Sequence, residues 1–264
     1  MSRFTLDSFK HSKKERIKIT MLTAYNYHTS VICDQNGVDV ILVGDSLGRM
    51  VQGDSDDKSV TVTDMMYHTR IVTRGVKRAF VVADMPYGTY ETPEDAVKNA
   101  KLLVEEGNAN GVQVEGRHRK EVVKAIVEAG IPVMGLLGMD STRIKDLGFY
   151  SSTSSNPKPE YEEIRNCAKE LEEAGCFSVL LRTIPANLGK TIALELEIPV
   201  IGIGAGREVD GQLLMFHDMM GIIDDFTPKH VKRYAYVSQV MMQGVKAFMS
   251  DVDKKLYPTE DYEY

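Results

Sequence analysis

Three short apolar runs in this chain each end in an acid at the same relative place: ILVGDS sets Asp45 there, VVADMP sets Asp84, and VQVEG sets Glu115. Carboxylates brought together repel one another and raise one another's pKa unless a cation joins them. An all-oxygen donor set suits a hard ion, Mg²⁺ or a close relative, with water or substrate completing the octahedron. One such acid alone is more often a helix N-cap or a turn former. The repetition on three separate runs is what points to metal chemistry. Tyr25, just after the first apolar run, would face the same place; it reads as a packing residue, with acid/base work as the alternative. His28, His68, His118, His217 and His230 are scattered and read as surface or locally bonded side chains. The pairs Met65-Met66 and Met241-Met242 read as helix packing.

The elements that position the acids are legible as an alternation of two periods. Apolar, β-rich runs recur at Ile19–Ala24, Val40–Val43, Phe80–Ala83, Gly111–Val114, Pro132–Leu137, Ser178–Leu181 and Pro199–Ile203, with a weaker eighth candidate near Gly221–Ile223. Such runs are buried on both faces, as in a parallel sheet. Between them lie amphipathic stretches. Thr92-Pro93-Glu94-Asp95 is a capped helix start, followed by Ala96, Ala100, Leu103 and Val104 and stopped by Gly107. A second helix begins near Pro159 and ends at Gly175, and others are expected over Arg119–Ala129 and Ala186–Leu196. The rhythm predicts an α/β fold, a (β/α)₈ TIM barrel in one domain over residues 1–264, with an open doubly wound sheet as its rival. In a barrel the carboxyl ends of the strands share one mouth, so Asp45, Asp84 and Glu115 would converge there. The polar stretch YSSTSSNPK, Tyr150–Lys158, predicts a loop on that face. After Thr227-Pro228, Lys229–Lys255 predicts a long helical region, apolar enough to pack on the barrel or on another subunit.

The bulk numbers bound the function. With 264 residues, 43% hydrophobic and 27% charged, the chain can bury a large core. A formal net charge of −6 argues against nucleic acid, and no apolar run reaches the ~20 residues of a membrane span. The N-terminus is polar and basic without an apolar core, unlike a secretory signal. Three cysteines, Cys33, Cys167 and Cys176, lack metal-ligand spacing and suit a reducing cytoplasm.

Four stretches resemble the ketopantoate hydroxymethyltransferase family: MLTAYNY, VGDSLGRMVQG, the Asp84-x-Pro86 motif, and above all IPVIGIGAG-x₃-DGQ. The likeness continues to the YPTEDYEY tail. It implies a Mg²⁺-dependent (β/α)₈ barrel that assembles as a homo-oligomer, a decamer of two pentameric rings. It also implies transfer of a one-carbon unit from 5,10-methylenetetrahydrofolate to C3 of 3-methyl-2-oxobutanoate, in pantothenate biosynthesis. By this resemblance Asp45, Asp84 and Glu115 match the metal site, Asp45 and Glu115 acting partly through water. Asp45, Ser46 and Asp84 match the part of the site that meets the 2-oxo acid.

The chain departs from the family pattern within the same pocket. Gln113 stands where the family places a lysine, and Gly135-Leu136-Leu137-Gly138 stands for Gly-His-hydrophobic-Gly. Met139-Asp140-Ser141 replaces Thr-Pro-Gln, and YSSTSSNPK replaces a loop bearing glycine and arginine. In VLLRTIP, Arg182 occupies the place of the glutamate that is the expected general base. An arginine is always cationic and cannot abstract a proton as a carboxylate does. The resemblance therefore implies a divergent member, with three readings open: a hydroxymethyltransferase on a 2-oxo acid, a metal-dependent lyase or aldolase with another substrate, and a ligand-binding paralogue without turnover.

Overall fold

The computed structural model describes residues 2–55, 58–138, 159–223 and 227–264. Their elements fall into two compact units, Met1–Leu214 and Met215–Tyr264. The first is a closed barrel of eight parallel strands in chain order: β1 (Ile19–Thr23), β2 (Val40–Val43), β3 (Phe80–Asp84), β4 (Gly111–Glu115), β5 (Val133–Gly138), β6 (Ser178–Arg182), β7 (Val200–Ile203) and β8 (Gly211–Leu214). Its helices are α1 (Leu6–Glu15), α2 (Tyr27–Gln35), α3 (Val62–Gly75), α4 (Pro93–Lys101), α5 (Lys120–Glu128), α6 (Pro159–Glu173) and α7 (Ala186–Glu195). The expected barrel is present and the open sheet is not.

The helices begin where the sequence provides donors and acceptors for their free ends. Asp95 N donates to Thr92 Oγ1 at 3.2 Å, with Pro93 opening the first turn of α4. Thr61 and Asp64 close a reciprocal cap on α3, at 3.0 Å and 3.2 Å. These caps fix where each loop above the strands re-enters a helix.

The eighth strand is not where the apolar pattern put it. Gly221–Ile223 is a turn at the end of a short helix, where Gly221 N donates to Asp218 O at 3.1 Å. The strand that closes the barrel is Gly211–Leu214, inside the glycine-rich block. A Cβ on Gly211 would lie 2.7 Å from Ile19 O, so glycine is what lets the backbones of β1 and β8 meet. The acid of the same DGQ motif is structural: Asp210 Oδ2 accepts from Val200 N at 2.8 Å and from Lys13 Nζ at 2.7 Å.

The amino-terminal end of the barrel is plugged. Phe9 is fully buried, with its ring 5.0 Å from Phe4, 5.4 Å from Phe80 and 4.8 Å from Phe177. Above this aromatic layer the core continues through Ile19, Met21, Val40, Leu42, Val82, Met134, Leu136, Leu180, Ile201 and Leu213. The opposite end, at the carboxyl ends of the strands, is where chemistry belongs in such a fold.

The second unit carries α8 (Phe216–Met219) and α9 (Val237–Asp253). The long helix is shorter than the expected Lys229–Lys255, and none of its residues is buried. Among the described residues, no helix is long and apolar enough to cross a membrane. Tyr150–Lys158 and Met139–Ser141 lie outside the described residues.

Candidate active site

Strand side chains alternate between the barrel interior and its helical jacket. Phe80 and Val82 of β3 belong to the interior core, so Asp84, two residues on, faces the mouth. On β6 the interior residue is Leu180, which puts Arg182 at the rim on the same face. β4 contributes Gln113 and Glu115 by the same period, since its Val112 and Val114 are absent from the interior core. The pairing register sets Asp84 beside Gln113, Glu115 beside Leu136, and Gly138 beside Arg182.

Asp84 is the most enclosed of the acids, at 6% exposure. Burial pushes its pKa well above the ordinary carboxylate value, and the charge of Asp45 pushes it further. A hydrogen bond from the Gln113 side chain, another from the Asp45 backbone and the charge of Arg182 act the other way. The Asp45 N–H lies 3.4 Å from Asp84 Oδ2, so the ends of β2 and β3 hold two carboxylates side by side. Next to Asp45, Ser46 Oγ is 2.8 Å from Tyr25 Oη. Tyr25 itself is fully buried, and its carbonyl pairs with His68 Nδ1 at 2.7 Å. Gly44 makes room for this: a Cβ there would lie 3.0 Å from Ser46 Oγ.

Gln113 is 2% exposed, and its amide is committed on one side only. Its N–H donates to the Asp84 carboxylate, which fixes the orientation of the amide. The Oε1 atom is then left buried without a partner. Such an acceptor costs about 1–3 kcal/mol unless a ligand or water supplies a donor.

Tyr90 was not singled out by the sequence. It stands in the loop after β3, 6% exposed, whereas Tyr87 in the same loop is 65% exposed. The two are indistinguishable by residue type, and only the path of the loop separates them. Burial raises the pKa of the Tyr90 hydroxyl, and the charges of Asp84, Glu115 and Asp45 raise it further, opposed by Arg119. Arg119 braces the residue, donating to Tyr90 O at 3.1 Å while its guanidinium lies 5.3 Å from the ring centroid. Arg119 is held in turn by both Glu91 oxygens, at 2.9 Å and 3.0 Å.

The structure thus brings Asp45, Ser46, Asp84, Gln113 and Arg182 to one mouth, with Glu115 exposed at its rim. Among the described residues, no group of three or more His, Cys, Asp or Glu side chains is arranged to hold a metal ion. The adjacent Asp45 and Asp84 fit a hard divalent ion in donor type and charge, with water and ligand oxygens completing its shell. Of the histidines, His118 and His28 stand elsewhere: His118 Nε2 is 2.8 Å from Glu163 Oε1, and His28 packs edge-on against Tyr27. The three cysteines are free and buried, and burial pushes the Cys33 and Cys176 thiols up to about 11 and about 12.

A closed (β/α)₈ barrel, plugged at one end and lined at the other with acids, hydroxyls and a cation, is the architecture of a small-molecule enzyme. The chain belongs to the ketopantoate hydroxymethyltransferase family, whose model matches residues 3–260. It is 47% identical to the 3-methyl-2-oxobutanoate hydroxymethyltransferase of Acetivibrio thermocellus, covering 98% of this chain and 92% of that one. The enzyme of the same name from Salinibacter ruber is 41% identical and covered in full, as is this chain. Among solved structures the fold is similar to 2,3-dimethylmalate lyase, a member of the PEP mutase/isocitrate lyase superfamily. That match has a TM-score of 0.62 at 12% identity over 98% of this chain and 91% of the other. Phosphonopyruvate hydrolase superposes with a TM-score of 0.63 at 11% identity, over 100% of this chain and 92% of that one.

Proposed function

We propose that this protein transfers a hydroxymethyl unit onto the carbon beside the keto group of a 2-oxo acid, in a Mg²⁺-dependent reaction of pantothenate biosynthesis. The one-carbon donor in this reading is 5,10-methylenetetrahydrofolate. The observation that carries it is the side-by-side placement of Asp45 and Asp84 next to Ser46, in a chain of this family. Asp45 and Asp84 would hold the ion, with Glu115 reaching it through water. When bound, a divalent cation supplies Lewis acidity that favours loss of the C3 proton from a 2-oxo acid.

The chain's own residues have separate tasks. Tyr25 keeps the Ser46 hydroxyl at the mouth, where it meets the 2-oxo acid. Gln113 orients Asp84, so that its carboxylate is presented to the ion rather than turned into the wall. Tyr90 keeps its proton across the neutral range and acts as a hydrogen-bond donor, not a base. Arg182 stands where the family resemblance expects the general base, and it holds no proton-accepting group. The C3 proton therefore leaves to a base other than residue 182, and C3 exchange is slower than in relatives with a carboxylate there.

The working form in this reading is a cytoplasmic homo-oligomer, a decamer by family resemblance. The free buried thiols suit the compartment, and the exposed apolar side chains of α9 suit the assembly. The test is to incubate the protein with Mg²⁺ and 3-methyl-2-oxobutanoate in D₂O and follow the C3 proton by NMR. Addition of methylenetetrahydrofolate then yields ketopantoate. Absence of both exchange and product, with Mg²⁺ bound, overturns the activity.

A further inference from the structure

We propose that the chain carries a second ligand site, for a small phosphate-bearing anion, at the opposite end of the barrel from the mouth. The site is a cleft of about 210 Å³ beside the amino-terminal end of β3, bordered by Ala79 and Val81. Phe80 and Val82 belong to the interior core, so Ala79 and Val81 face the helical jacket and the cleft lies outside the barrel wall. From here β3 runs to Asp84, which sets the length of the strand between the cleft and the candidate active site.

Three cations from separate segments line this one cleft: Arg3 before α1, Arg74 at the end of α3, and Lys77 in the loop that leads into β3. Asn108 and Asn110 add two amides, and none of the nine lining residues is an acid. That is an uneven distribution for a chain whose formal net charge is −6. Three acids of the flanking elements are taken up elsewhere. Asp39 pairs with Arg78 at 2.6 Å, Glu106 with Arg70 at 3.3 Å, and Asp34 accepts from the backbone N–H groups of Lys77, Arg78 and Ala79. Among the described residues, the side chains of Arg3, Arg74 and Lys77 make no ion pair or hydrogen bond. A cation in the last turn of a helix offsets its dipole, but that accounts for Arg74 alone.

The backbone beneath each cation is fixed. Phe4, buried beside Arg3, donates its N–H to Arg78 O at 2.8 Å, and Lys77 N donates to Asp34 Oδ2 at 3.0 Å. Asn110 Oδ1 accepts from Val81 N at 2.8 Å, which leaves its Nδ2 as a donor to the cleft. Like charges around one space repel one another, and an anion between them relieves the repulsion. A phosphate group brings close to two negative charges and three strong acceptor oxygens to guanidinium, ammonium and amide donors, where a carboxylate brings one charge and two oxygens. The cleft falls below the roughly 300–1,000 Å³ of a pocket for a drug-sized ligand. The ligand class is therefore a small phosphate ester or pyrophosphate, not a whole nucleotide or a polymer.

The experiment is calorimetric titration of the full chain without Mg²⁺, using orthophosphate, pyrophosphate and glycerol 3-phosphate at constant ionic strength, with acetate as the carboxylate control. One site per chain is expected, with at least one phosphate bound at about 1 mM or tighter and acetate at least about tenfold weaker. Arg74→Gln and Lys77→Gln should each weaken that binding about fivefold. Lys190→Gln makes the same change of net charge on α7 and should leave it unchanged. In the parent protein, pyrophosphate should also shield Lys77, and not Lys190, from an amine-acylating reagent read by mass spectrometry, which needs no variant. Three results overturn the proposal: equal weakening in Lys190→Gln, loss confined to an Arg182→Gln variant at the mouth, and no binding of any of the three phosphates. All three leave the proposed function standing, because the cleft shares no residue with the mouth.

Discussion

The Tyr25 and Ser46 hydroxyls lie 2.8 Å apart, one fully buried and the other at the edge of the mouth. This contact links the first strand's exit to the turn that presents Asp45. Tyr25→Phe removes one hydroxyl without opening a cavity, at a stability cost of about 1 kcal/mol. It frees Ser46 Oγ to rotate, so affinity for a 2-oxo acid should fall several-fold, read by calorimetry with Mg²⁺ present. Ser46→Ala should cost as much, and the double variant little more than either, because the two act as one unit. Additive losses would show that Tyr25 works independently of Ser46.

Gln113 supports Asp84 from the neighbouring strand. Gln113→Leu removes that donor and takes away the unpartnered acceptor as well. The first loss raises the Asp84 pKa further and strengthens proton competition with the ion. Mg²⁺ affinity is expected to drop about tenfold, as for other groups that orient metal ligands. The second loss removes an unsatisfied buried atom and offsets the hydrogen bond lost to Asp84, so thermal stability without Mg²⁺ should change little. Calorimetry and melting curves read the two effects separately; a variant with unchanged Mg²⁺ affinity would show that Gln113 does not orient the ligand.

How far the sequence led can be seen in three residues. Asp84 was legible because β3 is a continuous apolar run with one acid at its end, a contrast that survives without a structure. Gly211 was not, because a strand that starts with glycine looks like a turn; its reason lies across the barrel, in the approach of Ile19 O. Tyr90 was not legible because loop geometry, not composition, buries it and leaves Tyr87 outside. Seven strand runs and the four helices from α4 to α7 followed from periodicity, which is a local property, whereas α1, α2 and α3 were not read from it. The closing strand and the contents of the loops depend on partners distant in sequence. Gln113 lies between these cases: its departure from the family pattern was visible, but its orphaned oxygen was not.

Asp34 provides a pH-dependent test of the scaffold. Its carboxylate accepts from Lys77 N at 3.0 Å, Arg78 N at 2.9 Å and Ala79 N at 2.8 Å, pinning the loop that leads into β3. Burial pushes its pKa up, but the three backbone donors and the Arg78 charge together hold it below the usual value. For an acid whose native pKa is lowered, the stabilisation is present above its unfolded value of about 3.9 and is lost as pH falls through the native one. Asp34→Asn has one acceptor oxygen and turns its NH₂ toward the Lys77 donor. It should destabilise the fold by about 2 kcal/mol at pH 7. In urea melts the gap between parent and variant should narrow as pH falls below the unfolded value of about 3.9 and through the lower native one, where Asp34 itself takes up a proton. A gap independent of pH would assign the effect to shape rather than charge.

The last test concerns assembly. Met241, Val245, Phe248 and Val252 recur at intervals of four, three and four along α9, so they form one stripe on that helix. They are 58%, 59%, 57% and 46% exposed. A stripe of this kind exposes apolar surface worth about 1.5–3 kcal/mol per fully buried side chain, which a second copy can cover. Val245→Glu with Phe248→Glu places charges at the centre of the stripe, where burial in an interface would be costly. Sedimentation velocity should show the parent as a homo-oligomer and the double variant shifted toward smaller species. Circular dichroism should be unchanged, because no residue of α9 is buried in the single chain. A parent that sediments as a monomer would remove the oligomer from the proposed function, and a double variant that still assembles fully would place the interface elsewhere on the molecule.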